Sequence, residues 1–210
     1  MSLVTISEVQ KHSFILKQSK FISYIRNCGS RSDFRSWLSQ IKKDHYDASH
    51  VCWAYRIQCD HELFQHSFDA GEPSGTASAP ILKILKQNNL IQCGLIVVRY
   101  FGGTKLGRKG LIDAYSNAAV NVVNSSNLMQ WVYTKRYIIT CPINCYGELI
   151  RAFQKIDGKI IEDQSGENLN WTLEINPVHL SNLIILIRKI AEGKGELEIY
   201  KKGSGAIKSR

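Results

Sequence analysis

In "SDFRSWLSQIKKDH" the apolar residues Phe34, Trp37, Leu38 and Ile41 follow the i, i+3, i+4, i+7 spacing of one helical face, with Ser32 placed to cap its start. The preceding "SFILKQSKFISYIR" reads as a strand pair or one bent strand. "HVCWAYRIQ" and "ELFQHSF" are strand-like and are separated by a turn signal around Asp60. The breaker-rich "FDAGEPSG" is a loop, after which Ser74 or Thr76 is positioned to cap a helix reaching about Asn88, with Pro80 tolerated in its first turn. "QCGLIVVRY" predicts a buried strand. "KGLIDAYSNAAVNVVNSS" predicts a helix with Leu111, Tyr115, Ala118 and Val122 on one face.

After "MQWVYTKRY" the pattern restarts: strand "YIITCPI", helix "NCYGELIRAFQKI", a hairpin "GKIIEDQ" to "NLNWTLEI", helix "HLSNLIILIRKIAE" and strand "GELEIY". This βαββαβ order over about 65 residues is the split βαβ arrangement of a ferredoxin-like domain. The chain is thus expected to hold two α+β domains, residues 1–135 and 136–201. Residues 202–210, rich in Gly, Ser and basic groups, read as a disordered tail.

With 210 residues, 44% hydrophobic and 21% charged, the chain can bury one large core or two modest ones. The first twenty residues hold no secretory apolar region, and no stretch approaches the ~18 apolar residues of a membrane span, so a cytoplasmic protein is expected. Six cysteines show no CxxC pair and read as small buried thiols rather than a disulfide framework. The net charge of +9 bears on partners more than on fold. From Pro73 to Ile112 there is no acidic residue, while Lys83, Lys86, Arg99, Lys105, Arg108 and Lys109 are all basic. An unneutralised segment of this kind suits a polyanion.

Its centre is "RYFGGTKLGRKG". The P-loop pattern fails, because Arg108 and Lys109 stand where a lysine and a metal-binding hydroxyl are needed, and no tight GxG turn is present for a dinucleotide. What is left is an anion cradle ahead of a helix. Arg99, Lys105, Arg108 and Lys109 would contact phosphates around Gly102, Gly103 and Gly107. Gly102 and Gly103 are expected to supply positive φ, with Gly107 and Gly110 allowing close approach. His45, His50 and Cys52 raise the question of a metal, but no fourth ligand is evident and structural roles are expected, with no cofactor. Asp69, Glu72, Ser74 and Thr76, with His50, form a possible pocket. They could equip a small hydrolase or peptidase, yet His66, the base nearest to Ser74 in sequence, has no evident orienting group. The structural reading has Ser74 or Thr76 capping the helix and Glu72 accepting loop amides. Tyr55, Tyr100 and Phe101 either stack on bases or pack the sheet.

"FDAGEPSGTASAPILKIL", "GLIVVRYFGGTKLGRKGLIDAYSNAA", "SKFISYI" and "ASHVCWAYRI", in order, resemble the signature of the IMPACT family, which includes bacterial YigZ-type proteins. Two positions depart from the family pattern: Ala70, where a second acidic residue is common, and Ser78, where glycine is common. The resemblance implies a two-layer N-terminal domain like one of a small-subunit ribosomal protein and of elongation factors (domain IV type), followed by a ferredoxin-like domain. It also implies a role in modulating translation through RNA, the ribosome or a protein partner. Eukaryotic members bind the ribosome-associated activator of the amino-acid-starvation kinase through an added N-terminal module, for which this sequence leaves no room. An interaction module for an acidic protein is the other non-enzymatic reading. The sequence does not set the oligomeric state.

Overall fold

The computed structural model describes residues 2–59, 62–191 and 196–208. Its strands and helices are, in chain order, β1 (Val4–Ile6), β2 (Gln10–Leu16), β3 (Ser19–Asn27), α1 (Arg31–Asp44), β4 (His50–Cys59), β5 (Glu62–Phe68), α2 (Ser78–Gln87), β6 (Cys93–Tyr100), α3 (Gly107–Asn124), β7 (Leu128–Pro142), α4 (Tyr146–Lys155), β8 (Lys159–Asp163), β9 (Asn168–Ile175), α5 (Leu180–Ile190) and β10 (Glu196–Lys208). They divide into two compact units, residues 1–131 with 207–210, and residues 132–206. The division lies a few residues before Lys135.

In the first unit every residue of β6 from Cys93 to Arg99 is buried, because β6 is the middle strand of a five-stranded antiparallel sheet in the order β2-β3-β6-β4-β5. Its alternate side chains need cover on opposite faces. Leu95 and Val97 pack with Ile81 and Leu85 of α2 and with Leu111, Tyr115, Ala118 and Val122 of α3. Ile96 and Val98 pack on the other face with Phe34, Trp37, Leu38 and Ile41 of α1. The unit therefore has three layers rather than the expected two, since an apolar strand with no polar face cannot leave one side to water. Both helical faces read from the sequence are the buried ones.

Ser30, not Ser32, caps α1: its Oγ accepts the Asp33 amide at 3.1 Å. The β2-β3 hairpin turns on Lys17 and Gln18, both at positive φ (43° and 65°), the geometry of a type I′ turn.

In the second unit the elements follow the expected βαββαβ order, with β9 between β7 and β8 and with β10 pairing β7. Trp171 and Leu173 of β9 and Tyr137 of β7 form a core with Leu149 and Phe153 of α4 and Leu183 and Ile187 of α5. Residues 202–208, expected to be disordered, continue β10, since a ladder joins backbone to backbone and does not depend on side-chain composition. Ser209 and Arg210 lie outside the described residues.

Candidate anion pocket

Three features shape the loop from Phe68 to α2: the glycines Gly71 and Gly75, at φ +90° and +75°, and the carboxylate of Asp69. The Asp69 Oδ2 accepts the Gly75 amide (2.9 Å), and its Oδ1 accepts the amides of Ala77 (3.0 Å) and Ser78 (2.8 Å). Asp69 therefore supplies, from outside the helix, the cap expected of Ser74 or Thr76. Thr76 instead donates its hydroxyl to the Pro73 carbonyl at 2.6 Å, and the Ser74 carbonyl accepts Arg108 Nη2 at 3.0 Å. Burial pushes the Asp69 carboxyl up, but the three backbone amides outweigh it and hold the group below the usual carboxylate range.

The turn closed by the Glu72 amide on the Asp69 carbonyl (3.0 Å) sends the Glu72 side chain inward. It is buried, and its Oε1 accepts Arg99 Nη1 at 2.7 Å and the Tyr115 hydroxyl at 2.8 Å. The expected bonds from loop amides to this carboxylate are not the ones formed, because its neighbours are a β6 arginine and an α3 tyrosine. Cys52 donates to the Asp69 carbonyl at 2.9 Å, its Sγ lies 3.4 Å from the Tyr115 oxygen, and burial pushes its thiol up to about 12. Burial, then Cys52 and Glu72, also raise Tyr115, so both groups stay protonated donors. His50 Nδ1 donates to the Ala70 carbonyl at 3.0 Å, which fixes that tautomer and leaves Nε2 3.9 Å from Glu72.

Arg99 is 4% exposed. Its guanidinium lies between Phe21 and Phe101, 5.5 and 5.4 Å from their ring centroids, and Nη2 reaches Ser19 Oγ at 3.3 Å. Among the described residues its Nε has no hydrogen-bond partner. The expectation that Arg99 joins Lys105, Arg108 and Lys109 on one open face is corrected. Strand alternation turns Arg99 inward beside Cys52 and Tyr115, while the other three are exposed.

Beside the Glu72–Arg99 pair lies a cavity of about 300 Å³, walled by Pro73, Phe101, Lys105, Arg108 and the start of α3. Leu106 precedes that helix, and no side chain caps its first amides. The glycines divide their roles differently from expectation. Gly103 and Gly107 take positive φ (+88° and +69°), whereas Gly102 lies against the Gln18 carbonyl, where a Cβ would collide. Gly102 also donates its amide to Ser19 Oγ at 3.2 Å.

The metal trio is dispersed: His45 bridges the hydroxyls of Tyr24 (2.8 Å) and Tyr100 (2.7 Å), away from the bonds of His50 and Cys52. Neither candidate base attends Ser74, since His50 is turned to Ala70 and His66 packs on Trp53 and Tyr55. In the second unit a larger cavity of about 530 Å³ lies between α4 and α5, but Glu148, Arg151, Lys155 and Asn182 line it as exposed side chains.

The sequence reading missed Ser19, Cys52 and Tyr115 as members of the buried network. One signal was present: a tyrosine on the apolar face of a helix brings a hydroxyl that needs a buried partner.

The Impact N-terminal domain family model matches residues 17–123. The chain is 40% identical over 193 residues to an IMPACT family member of Haemophilus influenzae, covering 91% of this chain and 88% of that one. To the IMPACT family member YigZ of Escherichia coli it is 25% identical over 190 residues, covering 90% and 88%. A crystal structure of a hypothetical protein shares the fold at a TM-score of 0.67 and 21% identity, covering 96% of this chain and 98% of that one.

Proposed function

This chain belongs to the IMPACT family, and we propose that it is a cytoplasmic RNA- or ribosome-binding protein that modulates translation. Lys105, Arg108 and Lys109 contact RNA phosphates at the start of α3. One observation carries this reading: the acid-free segment keeps Lys83, Lys86, Lys105, Arg108 and Lys109 exposed, while of the two acids that border it Glu72 is buried and neutralised by Arg99 and Asp113 alone is exposed. The uncapped α3 amides add positive potential at the same place. In this reading the first unit is the ribosomal-protein-like domain with α1 covering its second face, and the second unit is ferredoxin-like. Among the described residues no helix is long and apolar enough to cross a membrane.

The test is a salt series of binding to single-stranded RNA and to ribosomal subunits. Each phosphate contact removed in the Lys105→Ala/Arg108→Ala/Lys109→Ala variant lowers the slope of log K against log salt by roughly 0.7 on a single strand. Unchanged affinity and slope in the folded variant would defeat the reading. An acidic protein partner is separated from RNA by copurification, since only an RNA-mediated association is lost when the lysate is treated with ribonuclease.

A further inference from the structure

The cations at this site are not equivalent. Lys105 and Arg108 line the cavity beside Arg99, whereas Lys109 is not part of its wall. Of its lining residues Glu72, Arg99 and Leu111 are buried while Pro73, Phe101, Lys105 and Arg108 are exposed, so it narrows from an exposed rim to a buried end. An internal phosphodiester has chain leaving in two directions and suits an open surface. A recess with a buried end suits a phosphate with only one substituent.

Charge leads to the same ligand. The charged residues of the wall are Glu72, Arg99, Lys105 and Arg108, and Glu72 and Arg99 neutralise each other, leaving the two outer cations. A phosphodiester carries a single negative charge, while a terminal monoester at neutral pH carries between ~1.5 and ~2. Two features of the site leave donors unused. The first-turn amides of α3, an eighteen-residue helix, have no side-chain cap. Arg99 lines the same cavity, is 4% exposed and has an Nε without a hydrogen-bond partner among the described residues.

We propose that this cavity receives a terminal phosphate monoester, the phosphorylated end of an RNA strand, with Lys105, Arg108 and the first amides of α3 beside it. The inference rests on the RNA reading above and adds which part of the strand is held. Lys109 and the α2 lysines meet internal phosphates outside the pocket.

Full-length protein is titrated with one short, internally labelled oligoribonucleotide prepared with a 5′-phosphate, with a 3′-phosphate or with hydroxyls at both ends. One phosphorylated form should bind about tenfold tighter than the hydroxyl form or better, the effect of one charge-assisted hydrogen-bonded contact. Lys105→Ala/Arg108→Ala should remove that preference, while Lys109→Ala weakens all three forms alike. Equal binding of the three forms to the native protein overturns the inference and leaves the RNA reading standing. No binding of any form at low salt overturns both. Competition by a nucleoside 5′-monophosphate as effective as the phosphorylated strand assigns the pocket to a free nucleotide and overturns its assignment to an RNA end.

Discussion

Arg99 and Arg108 stand on the two sides of one glycine loop, and on paper they contribute equally to its charge. Arg99 is buried between two phenylalanine rings and paired with Glu72, while Arg108 is exposed and holds one loop carbonyl. A formal charge therefore says little about availability until burial is known. The inner pair orients the Glu72 loop and the outer cations face solvent. The two sets should respond oppositely to substitution.

The largest effect is expected at the inner pair. In the Glu72–Arg99 bridge the side chains are 3% and 5% exposed, so Glu72→Ala leaves a buried guanidinium without its counter-charge. Loss of one partner from such a pair costs about 3 to 5 kcal/mol, which denaturant melts would read directly. A loss below about 1 kcal/mol would mean that Arg99 escapes to solvent, and the distinction between inner and outer arginines would fall.

Asp69 comes next. Asp69→Ala frees three amides at the start of α2 and should cost about 2 kcal/mol, whereas Ser74→Ala should be near neutral. Because the folded-state pKa of Asp69 lies below the ordinary aspartate value of 3.8, its stabilisation is present above that pH and is lost as pH falls through the folded value. The gap in melting temperature between native protein and Asp69→Ala should thus be full at neutral pH and shrink below about 3.8. A gap independent of pH would refute the charged cap.

These residues also mark where sequence reading stops. The helical faces of α1 and α3, the buried β6 and the βαββαβ order were legible because periodicity reports local geometry. The cap of α2 was not, because an aspartate outside the helix, before two left-handed glycines, does the work usually sought at the position next to the first turn. The fate of Arg99 was hidden for a related reason. Its partners Ser19 and Glu72, and Tyr115, which shares Glu72 with it, come from three other segments, and only the sheet register and the α3 packing bring them together. Lys105, Arg108 and Lys109 were legible as a basic cluster because no acidic residue near them in sequence neutralises them.

A smaller effect of opposite sign is expected at the β2-β3 turn, which lies against Gly102. Gln18 holds φ 65° without being glycine, so Gln18→Gly should raise stability by roughly 0.5 to 1 kcal/mol by relieving that strain. The Gln18 atoms nearest Gly102 are backbone atoms, so RNA affinity should stay unchanged, and a fall in affinity would show that the turn side chain belongs to the binding surface.

The smallest effect on stability is expected from the outer cations, and its sign is the informative part. The first turn of α3 contains no acidic residue, yet Arg108 and Lys109 stand in it and Lys105 just ahead of it. Cations at a helix N-terminus oppose the macrodipole, typically by about 0.3 to 1 kcal/mol each. The hydrogen bond from Arg108 to the Ser74 carbonyl, exposed to water, offsets only part of this. Lys105→Ala/Arg108→Ala/Lys109→Ala should therefore leave the melting temperature unchanged or slightly raised while RNA binding weakens and its salt slope falls. Residues that oppose the local electrostatics of their own helix are better accounted for by a ligand than by the fold. A drop in stability approaching that of Glu72→Ala would show that these side chains hold the loop in place, and the outer set would then be structural as the inner one is.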